Sequence, residues 1–356
     1  MRRPYWLGLT IVLAVAWSAS ECSDGTSTPS VDGGILDARL DRVSDDGGDG
    51  PSPDTGTCVP KSILKSLVPI PAGTFLVGSP VSEWGRPPFD QDQVQVTLTH
   101  AIELGATELT QAEWVSMCAA NPSDKNGQDC SRSDCPVGGV NWFDAVAWLN
   151  ALSQFSGLKA CYKLTDCTGS MGAKFSCKSV DVLAPTVYDC EGYRLPTEFE
   201  WEYAYRAGTT SAFYSGGIVP VPGDPDTCTY DPNLALIGWY CNNSGLATHP
   251  VAGKLPNAWG LFDMSGNALE WTHSKYTPSG YGAVPLVDPP GTGATILYGD
   301  LPSMRGGIYN YSSRSARAAT RFGTPNWGQG PGVGFRVART LPLVPDAGIA
   351  DAADAD

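Results

Sequence analysis

Apolar residues recur at helical spacing in only three places, each behind an N-capping signal. Thr110-Gln111-Ala112-Glu113 puts a hydroxyl at the N-cap and a carboxylate three residues later. That pair can satisfy, reciprocally, two amide donors left orphaned at a helix start, and Trp114, Val115 and Cys118 then form one apolar face. Asn141 heads a second run, in which Trp142, Ala145, Val146, Leu149 and Leu152 repeat at three- and four-residue steps before Gly157. Thr197 and Glu200 make another capping box directly after Pro196, and Gly208 stands where that helix should stop. Elsewhere Gly, Pro, Trp and Tyr are dense and periodic runs are short. The pattern predicts an irregular α+β domain over residues 58–340, with short strands and long loops and no internal repeat. Loop content of that kind needs pinning by disulfides or ions.

The two ends follow different rules. Arg2 and Arg3 precede an apolar run, Leu7 to Trp17, and Ser18-Ala19-Ser20 supplies small residues for a signal peptidase. The run falls short of the roughly 20 apolar residues that a membrane helix needs, so residues 1–22 read as an export signal. Cys22 follows at once, with Glu21 where a lipoprotein signal usually has a small residue. Two outcomes stay open: acylation of Cys22, which would hold the chain to the cell envelope, and free secretion. Residues 23–57 are Asp, Gly, Ser and Pro with almost no large apolar side chains, a composition expected to act as a flexible acidic linker. Residues 341–356 read as a flexible acidic tail.

Charge sharpens this division. The linker carries −6, the stretch 346–356 carries −4 and the signal +1, which leaves −5 of the total −14 for residues 58–345. The folded part has no basic patch, so nucleic acid is excluded as a partner, and a membrane is expected only through a lipid on Cys22. Of the 11 cysteines, Cys22 belongs to the signal. The other ten (Cys58, Cys118, Cys130, Cys135, Cys161, Cys167, Cys177, Cys190, Cys228 and Cys241) are even in number and contain no CxxC spacing. In an exported chain they predict five disulfides rather than a zinc site. Cys161 to Cys190 lie in a stretch rich in Lys, Thr, Ser and Gly that reads as a stapled, loop-like insertion, with connectivity open.

Five ordered segments resemble the sulfatase-modifying-factor, or formylglycine-generating enzyme, family. They are Pro71-Ala72-Gly73-Thr74-Phe75 with Val77-Gly78-Ser79; Ala106-Thr107-Glu108-Leu109-Thr110; Pro136-Val137-Gly138-Gly139-Val140-Asn141-Trp142; Tyr193-Arg194-Leu195-Pro196-Thr197-Glu198-Phe199-Glu200-Trp201-Glu202; and Pro256 through Trp271. Arg305-Gly306-Gly307 and Gly334-Phe335-Arg336 close the series, so the resemblance runs over residues 66–340. It implies a fold related to C-type lectins. It also implies a structural calcium site made by the Asp263 side chain, the Gly266 and Ala268 carbonyls and the Glu270 side chain, since hard calcium takes carboxylate and carbonyl oxygens together. The bland reading is a turn braced by Asp263 and Asn267 hydrogen bonds. "RLPTEFEW" has a bland reading too, with capping by Thr197 and Glu200, packing by Trp201 and an Arg194–carboxylate pair.

Active members of the family bind Cu(I) through two cysteines placed after the double glycine, a choice that suits a soft ion. Counted from Gly306-Gly307, those positions fall at Tyr311 and Ala316, and no cysteine follows Cys241. Copper is therefore not expected, and no catalytic residue is assigned. His100, His249 and His273 are isolated in sequence, which argues against a histidine-rich iron site, and no nucleophile elbow is present. What the segment offers is polar and aromatic: Tyr309, Asn310, Tyr311, Arg314, Arg317, Arg321, Asn326 and Trp327. Such residues suit a peptide, protein or glycan ligand, because rings stack while Arg and Asn donate hydrogen bonds. The expected function is a non-catalytic binding or structural module. The competing expectation is a family oxidase, or an enzyme of altered chemistry.

Overall fold

In a computed structural model of the chain the described residues are 64–342, apart from Lys65, Phe89, Gln91, 124–126, 221–223, Pro225, Ser279, Ala283 and 291–294. The export signal with Cys22, the acidic linker, Cys58 and the tail beyond Pro342 lie outside them.

Four small sheets build the described part. β1 (Leu67–Ile70), β4 (Ile102–Gly105), β14 (Ala338–Thr340) and β7 (Tyr193–Arg194) form the first, antiparallel throughout. β2 (Gly73–Val77) pairs antiparallel with β3 (Val94–Leu98), which takes β9 (Leu286–Val287) in parallel. β5 (Tyr162–Ser170) and β10 (Thr295–Leu297) flank β6 (Ala173–Val182). In the fourth, the order is β12 (Phe322–Gly323), β11 (Pro302–Arg305), β8 (Leu269–Lys275) and β13 (Val333–Phe335), with β13 parallel to β8. The α+β class and the scarcity of long elements agree with the sequence pattern.

The three signalled helices start where their caps stand: α1 (Gln111–Ser116), α2 (Trp142–Phe155) and α3 (Glu198–Arg206). In α1 the Glu113 carboxylate accepts from Thr110 N at 2.8 Å, and Thr110 Oγ1 accepts from Glu113 N at 3.3 Å. α3 ends at Ala207 in the left-handed region, just ahead of Gly208. A fourth helix, α4 (Pro232–Ile237), is too short to show periodicity; its only signal was Asp231 as N-cap followed by Pro232. Asp231 Oδ1 accepts from the amides of Asn233 and Leu234.

The 161–190 stretch corrects the loop expectation. Most of it is the β5–β6 hairpin, with Cys167 and Cys177 directly opposite and bonded to each other. Residues Asp166–Ser170 are exposed on both faces, so no apolar alternation marks them as strand.

Indoles fill the main core. Trp114 and Trp148 stack at 6.4 Å, and Phe335 meets both edge-on. In this core each indole N–H finds an acceptor: Trp114 donates to Ala120 O, Trp142 to Thr272 O, Trp148 to Trp114 O and Trp271 to Val140 O. Asp144, third residue of α2, is buried and accepts from Gly172 N at 2.9 Å, which ties the hairpin turn to the helix. Burial pushes its carboxyl up to about 6, against the bonds from Gly172 and Asn141. A raised acid binds its proton more tightly folded than unfolded. Its contribution is therefore complete below the unfolded value of 3.8 and lost as pH climbs through about 6. Wild type should lose up to about 3 kcal/mol between pH 4 and 7 relative to Asp144→Asn. Parallel pH profiles of urea unfolding would show the group to be unperturbed.

Candidate functional site

The loop from Asp263 to Glu270 is held by backbone geometry that few residue types adopt. Asp263, Gly266 and Asn267 all have positive φ (54°, 74° and 56°), and a Cβ on Gly266 would sit 2.0 Å from Trp239 O. Asn267 fixes the turn by accepting from His249 N at 2.8 Å and donating to His249 O at 3.2 Å. His249 is itself occupied, stacking on Trp239 at 3.8 Å with Nε2 2.7 Å from Ser244 O.

Three buried carboxyls surround this turn. Glu270 makes a two-pronged pair with Arg336, at 2.6 and 2.7 Å, and also accepts from Trp201 Nε1 at 2.8 Å. Glu108 braces the turn from the other side, accepting from Ala268 N at 3.1 Å. Desolvation, then the charges of Asp263 and Glu270, hold the Glu108 carboxyl well above its usual range. Asp263 accepts from Ala252 N at 2.6 Å through Oδ2, while its buried Oδ1 has no hydrogen-bond partner among the described residues. Desolvation pushes Asp263 up to about 6. Three acids share the Arg336 guanidinium and, at Asp263, the charge of Lys254, and one carboxylate oxygen is left orphaned, an arrangement that a hard cation would complete. Among the described residues no three His, Cys, Asp or Glu side chains converge on a metal position. A cation here would draw on carbonyls as well as carboxylates, as the proposed set of two side chains and two carbonyls does. The residues fit it best at Asp263, because the oxygens of Glu270 already serve Arg336 and Trp201.

The polar and aromatic residues picked from the sequence do not form one surface. Tyr309, Arg317 and Asn326 are buried. Arg317 pairs with Glu83 at 2.5 Å and Asp90 at 2.9 Å, which clamps the loop between β2 and β3. Arg314 is half-buried and works on the same loop and its rim, donating to Gly85 O at 2.7 Å and Asp226 at 2.6 Å. Asn326 pins a neighbouring loop, accepting from Gly299 N and donating to Leu297 O. Arg321 is wedged between Tyr276 and Tyr281 and paired with Glu198. Asn310 is exposed, Tyr311 is half-buried against Phe322, and Trp327 stands 48% exposed on the Asn326 loop.

A family model, the sulfatase-modifying factor enzyme 1-like domain, matches residues 57–341. The chain belongs to that family. It is 36% identical over 158 residues to a formylglycine-generating enzyme of Streptomyces coelicolor, covering 43% of this chain and 48% of that one. It is 32% identical over 177 residues to chaperone protein LppX of Paenibacillus barcinonensis, covering 47% of this chain and 60% of that one. The chain thus spans about half the length of the curated relatives it matches. Among solved structures, Treponema denticola variable protein 1 superposes with a TM-score of 0.59 at 26% identity, covering 77% of this chain and 95% of that chain.

Within the sulfatase-modifying-factor scaffold, the two positions where the resemblance puts copper-binding cysteines hold a phenol and a methyl group. Ala316 is buried, with its carbonyl accepting from Ser265 Oγ at 3.1 Å. Tyr311 O accepts from Cys241 N at 3.1 Å, yet the Cys241 sulfur is bonded to Cys228. This donor set does not fit Cu(I), which takes soft thiolates.

Sequence reasoning missed Glu108, Glu83, Asp90 and Asp226, each of which reaches its basic or amide partner across more than 80 residues. Glu108 lay inside a family segment, which was the one signal available for it. The cysteines also need a correction. Cys130–Cys135, Cys167–Cys177 and Cys228–Cys241 are closed, and Cys118 is disulfide-bonded too. Cys161 and Cys190 are buried thiols, not a fifth bridge.

Proposed function

We propose that this domain is an extracytoplasmic binding module on a sulfatase-modifying-factor scaffold, without the copper oxidase chemistry of the family. The observation that carries this reading is the pair Tyr311 and Ala316, together with a neighbouring cysteine already consumed in a disulfide. Asn310, the half-buried Tyr311 ring and the half-exposed Trp327 remain as surface groups that suit a peptide or glycan, through stacking and hydrogen bonds. A relative named a chaperone supports the peptide. Calcium is the proposed brace, taken by Asp263, the Gly266 and Ala268 carbonyls, and Glu270.

Chemistry decides the matter. Wild-type protein is incubated with Cu(I) and a cysteine-containing sulfatase peptide, and the peptide mass is followed. The expected result is full retention of the peptide thiol. Stoichiometric copper with conversion of that thiol to the aldehyde would show a working oxidase. For location, the paired cysteines support an oxidising compartment. Fractionation of wild type and Cys22→Ala separates the two exported forms. A lipid anchor predicts membrane association that the variant loses, and secretion predicts no difference.

A further inference from the structure

We propose that Cys161 and Cys190 form an exchangeable disulfide, which joins the two ends of the β5–β6 insertion where it leaves the core. The geometry brings the pair together from opposite ends of that insertion. Cys161 immediately precedes β5, and Cys190 directly follows the short helical turn Val187–Asp189 beyond β6. Cys190 Sγ lies 3.9 Å from Cys161 O, and Cys161 Sγ lies 3.5 Å from Gly192 O. The insertion's root is already drawn tight around them, with Leu183 N donating to Cys161 O at 2.9 Å and Asn150 Nδ2 to Tyr162 O at 2.6 Å.

Environment separates their roles. The neighbouring Cys161 thiol, then the Arg194 guanidinium, lower the Cys190 thiol against the cost of burial, while the Cys190 thiol and burial raise that of Cys161, whose S–H donates to Gly192 O. Cys190 is thus the attacking sulfur and Cys161 the resolving one. Access fits this order. Cys190, with Asp189 and Glu191, lies in the wall between two surface hollows of about 460 and 570 Å³, and Cys161 lines neither. The oxidant is a low-molecular-weight disulfide. The Cys190 thiolate attacks one of its sulfurs, expels one thiolate and forms a mixed disulfide. Cys161 then gives up its proton, attacks the Cys190 sulfur and expels the second thiolate. Two S–H bonds become one S–S bond, and two electrons and two protons leave with the reagent.

The hairpin's own bridge, Cys167–Cys177, spans paired strands and serves as the internal comparison. The full chain is equilibrated in glutathione buffers from reducing to oxidising, quenched by alkylation and mapped without reduction. The expected result is a 161–190 cross-linked peptide in oxidising buffers and alkylation at both positions in reducing ones, while 167–177 stays closed. On closing, protease cleavage inside the insertion should slow by about tenfold or more, because a tied loop opens less often. Cys161→Ser should trap glutathione on Cys190; should that variant fail to fold, the wild-type map decides alone. Alkylation of both thiols in oxidising buffer would overturn the pairing, as would a bridge from either one to another cysteine. A 161–190 bridge that persists at every poise would overturn its exchangeability.

Discussion

Replacing Arg336 by methionine should lower the unfolding free energy by about 3–5 kcal/mol, the largest effect expected of any single change at the site. The guanidinium is fully buried, and besides its two-pronged contact with Glu270 it donates to Gly105 O at 2.9 Å and Phe262 O at 3.1 Å. Methionine preserves the packing volume but leaves Glu270 buried beside Glu108 and Asp263 without the guanidinium it pairs with. Neutralising the acid as well, in Arg336→Met with Glu270→Gln, should recover part of the loss. Urea unfolding of the four proteins gives the coupling directly, and a value of about 1–3 kcal/mol is expected. Simple additivity of the two single changes would mean that the pair is not what holds this part of the core.

Calcium produces the second large effect. At a hundredfold excess over its dissociation constant, a ligand that binds only the folded state adds about 2.7 kcal/mol. Asp263→Asn tests the ligand set more cleanly than Glu270→Gln, because Glu270 also neutralises Arg336. An amide oxygen can still accept from Ala252, and an amide resembles the protonated acid that burial favours at this position. In chelator the variant should therefore melt at or slightly above wild type, and in calcium it should melt well below, so the order of the two inverts. A wild-type melting temperature indifferent to chelator would remove calcium from the account.

How much of this could be read in advance depended on whether a residue's partner was local. The capping boxes at Thr110, Asn141 and Thr197 close within three residues and are visible as written. Arg194 meets Glu200 only six residues away, at 2.6 Å; a carboxylate partner for Arg194 was expected, but not which one. Arg317 looks like a ligand-binding arginine in the sequence, because Glu83 and Asp90 lie more than 220 residues before it. Tyr309 and Asn326 misled for the same reason: the Tyr309 hydroxyl turns to the Gln128 side chain and Asn326 serves the backbone of Leu297 and Gly299, and a polar side chain with so distant a partner reads no differently from one facing solvent. The hairpin was hidden by its outer part, Asp166–Ser170, which is exposed on both faces and so lacks the alternation that betrays a strand. The loop chosen for calcium was placed correctly as a turn, but the third carboxyl, Glu108, came from the bend between β4 and α1, 155 residues before Asp263, and was not foreseen.

The first sheet also sets an order in time. β1 and β4 can pair early, but β14, residues Ala338–Thr340, lies between β4 and β7, so those two strands are joined into one sheet only when nearly the whole domain has been synthesised. Arg336, two residues ahead of β14, brings the only guanidinium described against Glu270 at the same late moment. A chain still on the ribosome thus holds Glu108, Asp263 and Glu270 without the Arg336 guanidinium and cannot complete this part of its core early. Folding is committed at the last strand, and contacts of such long sequence separation make it slow. A stop codon a few residues before Arg336 would cost the entire domain rather than its final turn.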